Sequence, residues 1–355
     1  MTRVLLIKTS SLGDVVHCLP AVTDLAKAKP NLVLDWMVED SLADIPGLHP
    51  AVKRVVRTRQ RVWRRHPFDG ETRREFGAMC DLIREAPYDR VIDAQGLIRT
   101  ALLSRLAVGP HCGYDARSVR EPPASLLYDR RFAVSVTIHA IERMRHLAAQ
   151  AVGYDLPPEL DYGLRVESHR PTWLGDGPYL VGVHATARPD KAWSEDRWIE
   201  LARKAAQTGI PIVLLWGDEA ERERSARIAA AAPGSIVPPR LGFAEIAGLS
   251  AGAAAVAGVD TGLTHLASAV GASVVAIYVA SWSDFNGVMG PAFVANLGGP
   301  GSPPSADDVW RELQIAIRAG RCTGAWQPPL MAPAPDLARR RRFRPSNTRP
   351  VVHRR

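Results

Sequence analysis

The chain has 355 residues, enough for two domains that each bury a full core. Its net charge of +8 is concentrated at one end: residues 326–355 hold eight arginines and one aspartate, so the rest is nearly neutral and the basicity gives little ground for nucleic-acid binding. Cys18, Cys80, Cys112 and Cys322 stand apart with no C-x-x-C spacing, which favours buried thiols in a reducing cytoplasm over a zinc site.

The chain opens on RVLLIK (3–8), an apolar run of strand length that meets Lys8 too soon to be a signal peptide. KTSSLGD follows, and then Val15, Leu19, Val22 and Ala26 recur at helical spacing. LVLDWMV (32–38) and DRVIDA (89–94) read as further strands, with helical patterns between them. The stretch from Gly153 to Gly177 is rich in Pro, Gly and Asp and reads as a linker, which divides the chain into domains at 1–165 and 166–327.

The strand–helix rhythm then restarts. YLVGVH (179–184) is a strand, and SEDRWIELARKAAQ (194–207) a helix with Ser194 at its N-cap. IPIVLLWG (210–217) and EAERERSARIAAAA (219–232) repeat the pair. AAAVAGVD (253–260), TGLTHLASAVG (261–271) and SVVAIYVA (273–280) complete it; Asp260 and His265 argue against a membrane span in this apolar region. Strands alternating with helices predict two doubly wound parallel sheets, the α/β class. DAQGLIRTALLSRLA (93–107) and DTGLTHLASAV (260–270) are similar strand–turn–helix junctions. From Pro328 the chain turns Pro- and Arg-rich and reads as a disordered cationic tail.

Doubly wound sheets bind ligands beyond the carboxyl ends of their strands, where helix N-termini point. Three junctions carry suitable residues. At Asp260–His265 a helix opens at Thr261 and Gly262, where backbone N–H groups and the helix dipole favour a phosphate; Thr261 could instead only cap, and His265 only pack. HATARPDKAW (184–193) groups Thr186, Arg188 and Lys191 on one loop, which suits a diphosphate whose charge grows as it departs, or is an ordinary polar loop. In the opening stretch there is neither G-x-G-x-x-G nor G-x-x-x-x-G-K-[ST]. Ser10, Ser11 and Gly13 form a polar turn, and Asp14 is either a helix-terminal acid or a general base facing a cleft.

KTSSLGDVVHCLPAVTDL, VIDAQGLIRTALLSRLA, REPPASLLYDRR, HATARPDKAW and GVDTGLTHLASAVG, in this order, resemble the ADP-heptose-dependent glycosyltransferases, family 9, over the span from the first strand to about residue 320. KTSSLGD with DAQGL and REPPASLLYDRR resembles the lipopolysaccharide heptosyltransferase I branch of that family. The resemblance implies a GT-B fold, two Rossmann-like domains facing a cleft, with acceptor in the first and ADP-heptose donor in the second. It implies an inverting transfer of L-glycero-D-manno-heptose to the first Kdo of Kdo2-lipid A, with no cofactor and no metal, at the cytoplasmic face of the inner membrane. Asp14 then matches the base and Lys191 the group that stabilises the leaving diphosphate. Thr186, Glu221, Asp260, Thr261, Gly262, Leu263 and His265 match donor-binding positions, with Glu221 near the adenosine ribose. Lys8, Ser10, Ser11, Gly13, Arg61, Arg64, Arg65 and Arg120 fall on the acceptor side.

From Lys53 to Arg74 there are nine basic and two acidic residues, a run suited to the carboxylates and phosphates of such an acceptor or to an anionic lipid surface. The sequence departs from the family at Ala187, where a second threonine is common, and at Ala280-Ser281-Trp282-Ser283, where a Gly-Pro-Thr turn is common. The other readings are a family member with a different acceptor or sugar donor, and a non-catalytic binder of nucleotide sugar or anionic lipid.

Overall fold

The computed structural model describes residues 1–319; the expected cationic tail and Cys322 lie outside the described residues. In the first lobe the elements are β1 (Thr2–Ile7), α1 (Leu12–Ala28), β2 (Leu32–Glu39), α2 (Asp44–Gly47), β3 (Val52–Thr58), α3 (Gln60–Arg65), α4 (Gly70–Arg84), β4 (Arg90–Asp93), α5 (Ile98–Ser104), β5 (His111–Tyr114), β6 (Arg130–Phe132) and α6 (Ala140–Val152). The strands form one parallel sheet in the order β3-β2-β1-β4-β5-β6.

The second lobe runs β7 (Leu180–Val183), α7 (Glu195–Gln207), β8 (Ile212–Leu214), α8 (Glu219–Ala231), α9 (Phe243–Ala251), β9 (Ala255–Val259), α10 (Gly262–Ala269), β10 (Val274–Tyr278), β11 (Val294–Gly298) and α11 (Ala306–Ala319). Its parallel sheet has the order β11-β10-β9-β7-β8. Ile236 adds a single parallel bridge to Val213, on the side of β8 away from β7. With that bridge standing for a third strand, both lobes have the Rossmann order 3-2-1-4-5-6. The two-sheet GT-B architecture expected from the sequence is therefore the one observed.

The central strands were legible because helices cover both sheet faces, so their residues are apolar without alternation. Every residue of β7, β8, β9 and β10 is buried. One face of this sheet packs on Trp198, Leu201 and Leu313 from α7 and α11; the other packs on Ile246, Leu249 and Ala267 from α9 and α10. In the first lobe Leu5, Ile7 and Val91 pack with Met79 and Ile83 of α4. Helix α1 is buried from Val15 through Leu25, between its own sheet, α6 and α10.

Two details differ from expectation. Ser194 stands at the N-cap of α7, but its hydroxyl makes no capping bond. IPIVLLWG contributes only three residues to the sheet. The basic run also divides by role. Arg54 reaches fully buried Asp35 with bonds of 3.1 and 2.8 Å, joined by Tyr88 and Arg3, and so serves the core. Arg57 pairs with Asp40, and Arg59 with Glu75.

Each sheet reverses its strand order between its first and fourth positions, and the crevice for ligands opens there. In the first lobe that point lies between β1 and β4; in the second, between β7 and β9. The similar junctions noted in the sequence, β4–α5 and β9–α10, occupy this same fourth position. The two lobes meet at the N-termini of α1 and α10. A Cβ on Gly262 would lie only 2.7 Å from the Gly13 nitrogen and 2.6 Å from Leu12 Cβ, so glycine is what admits this approach.

Candidate active site

Strand β1 delivers Lys8 and the Thr9–Ser11 turn to the crevice. The turn is pinned across the strand-order reversal by Gln95, whose side-chain oxygen accepts from the Thr9 and Ser10 N–H groups at 3.1 and 3.2 Å. Gln95 is held in turn by Asp93, which accepts from the Gln95 and Gly96 N–H groups. Gly96 has φ +70°, a left-handed conformation open to glycine at little cost.

Asp14, in the first turn of α1, accepts from both the N–H and the hydroxyl of Ser11, at 2.9 and 3.0 Å. The Lys8 ammonium lies 3.6 Å from its other oxygen. Burial opposes ionisation of this carboxyl, but Lys8 and the two Ser11 bonds outweigh it, with Arg120 adding a smaller attraction, and hold it below the usual carboxylate range. Asp14 is still 34 % exposed, so it is an ionised carboxylate that a substrate can reach.

On the second lobe, β9 ends at Asp260. The α10 start is fixed against that strand by Thr264, whose hydroxyl donates to the Val259 carbonyl at 2.7 Å. Asp260 Oδ2 accepts from Lys191 Nζ at 2.6 Å and from the Ser281 hydroxyl. Its Oδ1 faces His265 Nε2 at 4.0 Å. Burial again opposes ionisation, and His265, Lys191 and Ser281 together override it, keeping Asp260 charged far below the ordinary range. Thr261 takes the N-cap position of α10 with an extended backbone, yet its hydroxyl makes no capping bond. The hydroxyl and the first N–H groups of α10 are thus available to an anion.

The loop bearing Thr186 and Lys191 is clamped at both ends by Arg224 of α8, which donates to the carbonyls of His184 (3.2 Å) and Trp193 (2.6 Å). Thr186 is half-buried and accepts from the Arg188 N–H; Arg188 itself is exposed and paired with Asp190. Leu263 packs into the second-lobe core, so only its backbone faces the helix mouth. Glu221 lies in the first turn of α8, where its carboxylate accepts from the Gly217 N–H at 2.7 Å, beyond the carboxyl end of β8.

A cavity of about 730 Å³ opens beside Ser10 and Ser11 in the first lobe. Arg61, Arg64, Arg99 and Gln60 stand at its polar side; Trp63, Phe76 and Leu102 make up much of the apolar wall. Arg65 is not part of that wall, and Arg120 is exposed and acts on Asp14 by charge.

The structure therefore gathers Asp14, Ser11 and Lys8 at one helix mouth, and Lys191, Asp260, Thr261 and His265 at the other. Lys8, expected on the acceptor side, is buried and turned to Asp14, whose charge it supports. Ser11 likewise spends its hydroxyl on Asp14. Sequence reasoning missed Gln95, Ser281, Arg99 and His17, the last bonded to His265 at 3.0 Å across the lobes. Gln95, Arg99 and His17 lay inside quoted motifs and Ser281 inside a noted departure, so each had a signal, though none that told its role.

Comparison with known proteins identifies the family. Residues 77–302 match the model of glycosyltransferase family 9 (heptosyltransferase). Lipopolysaccharide heptosyltransferase 1 of Pseudomonas aeruginosa is 44 % identical over 290 residues, 81 % of each chain. The structure of the Escherichia coli heptosyltransferase WaaC with ADP superposes with a TM-score of 0.81 at 38 % identity, covering 89 % of this chain and 100 % of that one. The same enzyme with ADP-2-deoxy-2-fluoro heptose gives 0.79 at 38 % identity, over 88 % and 99 %. An accessible carboxylate stands at one helix mouth and a Lys–Asp pair at the other, and with these similarities they lead to one conclusion: the chain belongs to glycosyltransferase family 9, the heptosyltransferases.

Proposed function

We propose that the chain catalyses the heptosyltransferase I step of lipopolysaccharide inner-core synthesis, moving L-glycero-D-manno-heptose from ADP-heptose to the first Kdo of Kdo2-lipid A with inversion. The observation that carries this reading is the pairing of an accessible ionised Asp14 with a cationic, N–H-rich helix mouth at Thr261 in the facing lobe.

In the proposed reaction Asp14 takes the proton of the Kdo hydroxyl as its oxygen attacks the anomeric carbon. The bond from that carbon to the diphosphate breaks, and ADP carries away the electron pair. Lys191 has three N–H donors, of which Asp260 takes one, so two remain for the diphosphate oxygens. The α10 N–H groups and dipole add to this stabilisation of departing charge. These side chains supply the positive charge that the leaving group needs, and the proposal assigns no cofactor.

The cavity beside Ser10 and Ser11 is the proposed acceptor site, with Arg61, Arg64 and Arg99 toward the anionic groups. No helix among the described residues is long and apolar enough to cross a membrane. A lipid acceptor would then be met at the surface. Leu102 (55 % exposed), which lines that cavity, and Phe68 (82 % exposed), between α3 and α4, suit a peripheral contact with the anionic inner membrane from the cytoplasmic side.

The test is ADP release by purified protein given ADP-heptose and Kdo2-lipid A, beside Asp14→Ala. Acceptor-dependent turnover that collapses in the variant, with donor affinity kept, is the expected result. Tight donor binding without turnover would favour a binder or another acceptor. Full activity of Asp14→Ala would leave the family standing and overturn the assigned base.

A further inference from the structure

His17 belongs to α1, three residues after Asp14 and so on nearly the same helix face. His265 belongs to α10, five residues after Asp260. Both rings are buried, 3 % and 4 % exposed, and they meet edge-on with centroids 4.4 Å apart. His17 Nε2 and His265 Nδ1 are 3.0 Å apart, a direct hydrogen bond between residues 248 positions apart that ties the base-bearing helix to the donor-side helix.

The hydrogen can be assigned for the neutral pair. His265 turns Nε2 toward the Asp260 carboxylate, which favours N–H there and leaves Nδ1 as a lone pair. His17 must then carry its hydrogen on Nε2 and donate. Burial holds His17 neutral. A third ring steadies the first: His139 lies 5.6 Å from His17, accepts from the Ile141 N–H through Nδ1, and donates from Nε2 to the Gly287 carbonyl at 3.0 Å.

We infer that His17 is a positioning residue for the transfer: it registers Asp14 against the donor site and keeps His265 turned toward Asp260. The inference rests on the transferase reading above. His17 touches neither substrate in this scheme; it acts through the placement of α1 and the tautomer of His265. Loss of the bond should therefore slow turnover while each substrate still binds. A displacement of about 1 Å between reacting groups is enough to cost roughly 100-fold in rate.

The experiment compares wild type, His17→Ala and His17→Gln in steady-state turnover, ADP-heptose binding by calorimetry, thermal melting and histidine-selective ¹⁵N NMR. The glutamine amide can still donate to His265. His17→Ala should lower kcat by about 10- to 100-fold. Its ADP-heptose Kd should stay within about threefold, and His17→Gln should recover most of the rate. In the NMR spectra, His265 Nδ1 should be an unprotonated, hydrogen-bonded nitrogen in wild type and lose that signature in His17→Ala. Wild-type kcat in His17→Ala, a glutamine variant no better than alanine, or a rate loss that only follows loss of folded protein would overturn the inference. A wild type inactive toward ADP-heptose would instead overturn the transferase reading, and the NMR signature would still decide whether His17 fixes the His265 tautomer.

Discussion

Replacing Gly262 by alanine adds one carbon at the contact between α1 and α10. Built on the backbone, that carbon overlaps Leu12 Cγ and lies 2.6 Å from Leu12 Cβ and 2.7 Å from the Gly13 nitrogen. Leu12 can turn aside, but the Gly13 backbone cannot. Restoring an ordinary separation of about 3.5 Å requires the helices to part by roughly 0.8–1 Å. Gly262 has no positive φ, so alanine brings no backbone strain of its own to confuse the result. The added bulk should cost about 1–3 kcal/mol of the docked arrangement. If the lobes relieve it by separating, stability changes little, but the base moves away from the donor; kcat should then fall about 100-fold, equivalent to about 2.7 kcal/mol of barrier. The assay is ADP release under saturating ADP-heptose and Kdo2-lipid A, with thermal melting alongside. Gly13→Ala is the matched control for docking, because its new carbon meets only His265 Cδ2 at 3.6 Å and Gly262 Cα at 3.7 Å, ordinary contacts. It should melt at or above the wild-type temperature, since alanine is preferred to glycine inside a helix by about 1 kcal/mol. Wild-type kcat in Gly262→Ala would refute the claim that this contact sets the distance between base and donor.

Three further perturbations test other parts of the site. Lys8 lowers the Asp14 pKa, so the ionised base persists to low pH; Lys8→Met should raise that pKa and move the acid limb of the kcat/KM profile to higher pH, and an unmoved limb would remove Asp14 from the titration. The Asp260 pKa is depressed in the folded state, so its stabilising contribution is complete above an unfolded value of about 4 and is lost as pH falls below it. Lys191→Met should flatten that loss in urea-midpoint measurements taken from pH 5 downward, whereas a slope equal to wild type would mean the ion pair does not set the titration. Replacing Arg61 and Arg64 together by glutamine should raise the acceptor KM about tenfold and weaken its salt dependence, with donor affinity unchanged; an unchanged acceptor KM would move the acceptor out of the 730 Å³ cavity.

What the sequence disclosed follows from how each element is surrounded. RVLLIK and SVVAIYVA are central strands covered on both faces, so their apolar runs are unbroken and easily read. The edge strands VKRVVRT, RRF and VANLG are partly solvated and carry charged or small residues, and nothing in them distinguishes a strand from a loop. The site shows the same division. Ser11 and Asp14 are three residues apart at a helix start, a local pattern legible in one dimension. Lys191 and Asp260 are separated by 69 residues, and no spacing rule brings them to 2.6 Å; the strand-end rule marked both loops, and the resemblance joined them in one site. Lys8 shows the same limit: nothing in its place after a strand says that the following turn folds Asp14 back beside it.

Asp14 and Asp260 also explain why one fold can give two carboxylates different tasks. Each stands where a strand hands over to a helix at a reversal of strand order, and each is held ionised against the cost of burial. They differ in what occupies their oxygens. Asp260 is only 11 % exposed; Lys191 and Ser281 engage one oxygen and His265 faces the other, so a proton arriving there would have to displace a cation. Asp14 is three times as exposed, and its ammonium partner stands off at 3.6 Å from an oxygen with no closer donor. A lone pair that is charged, reachable and loosely held can take a proton from an incoming hydroxyl, whereas one locked in an ion pair can only orient its neighbours. Hydrogen-bond saturation thus supports the proposed assignment of base to the first lobe and of donor anchoring to the second, independently of which motif each aspartate belongs to.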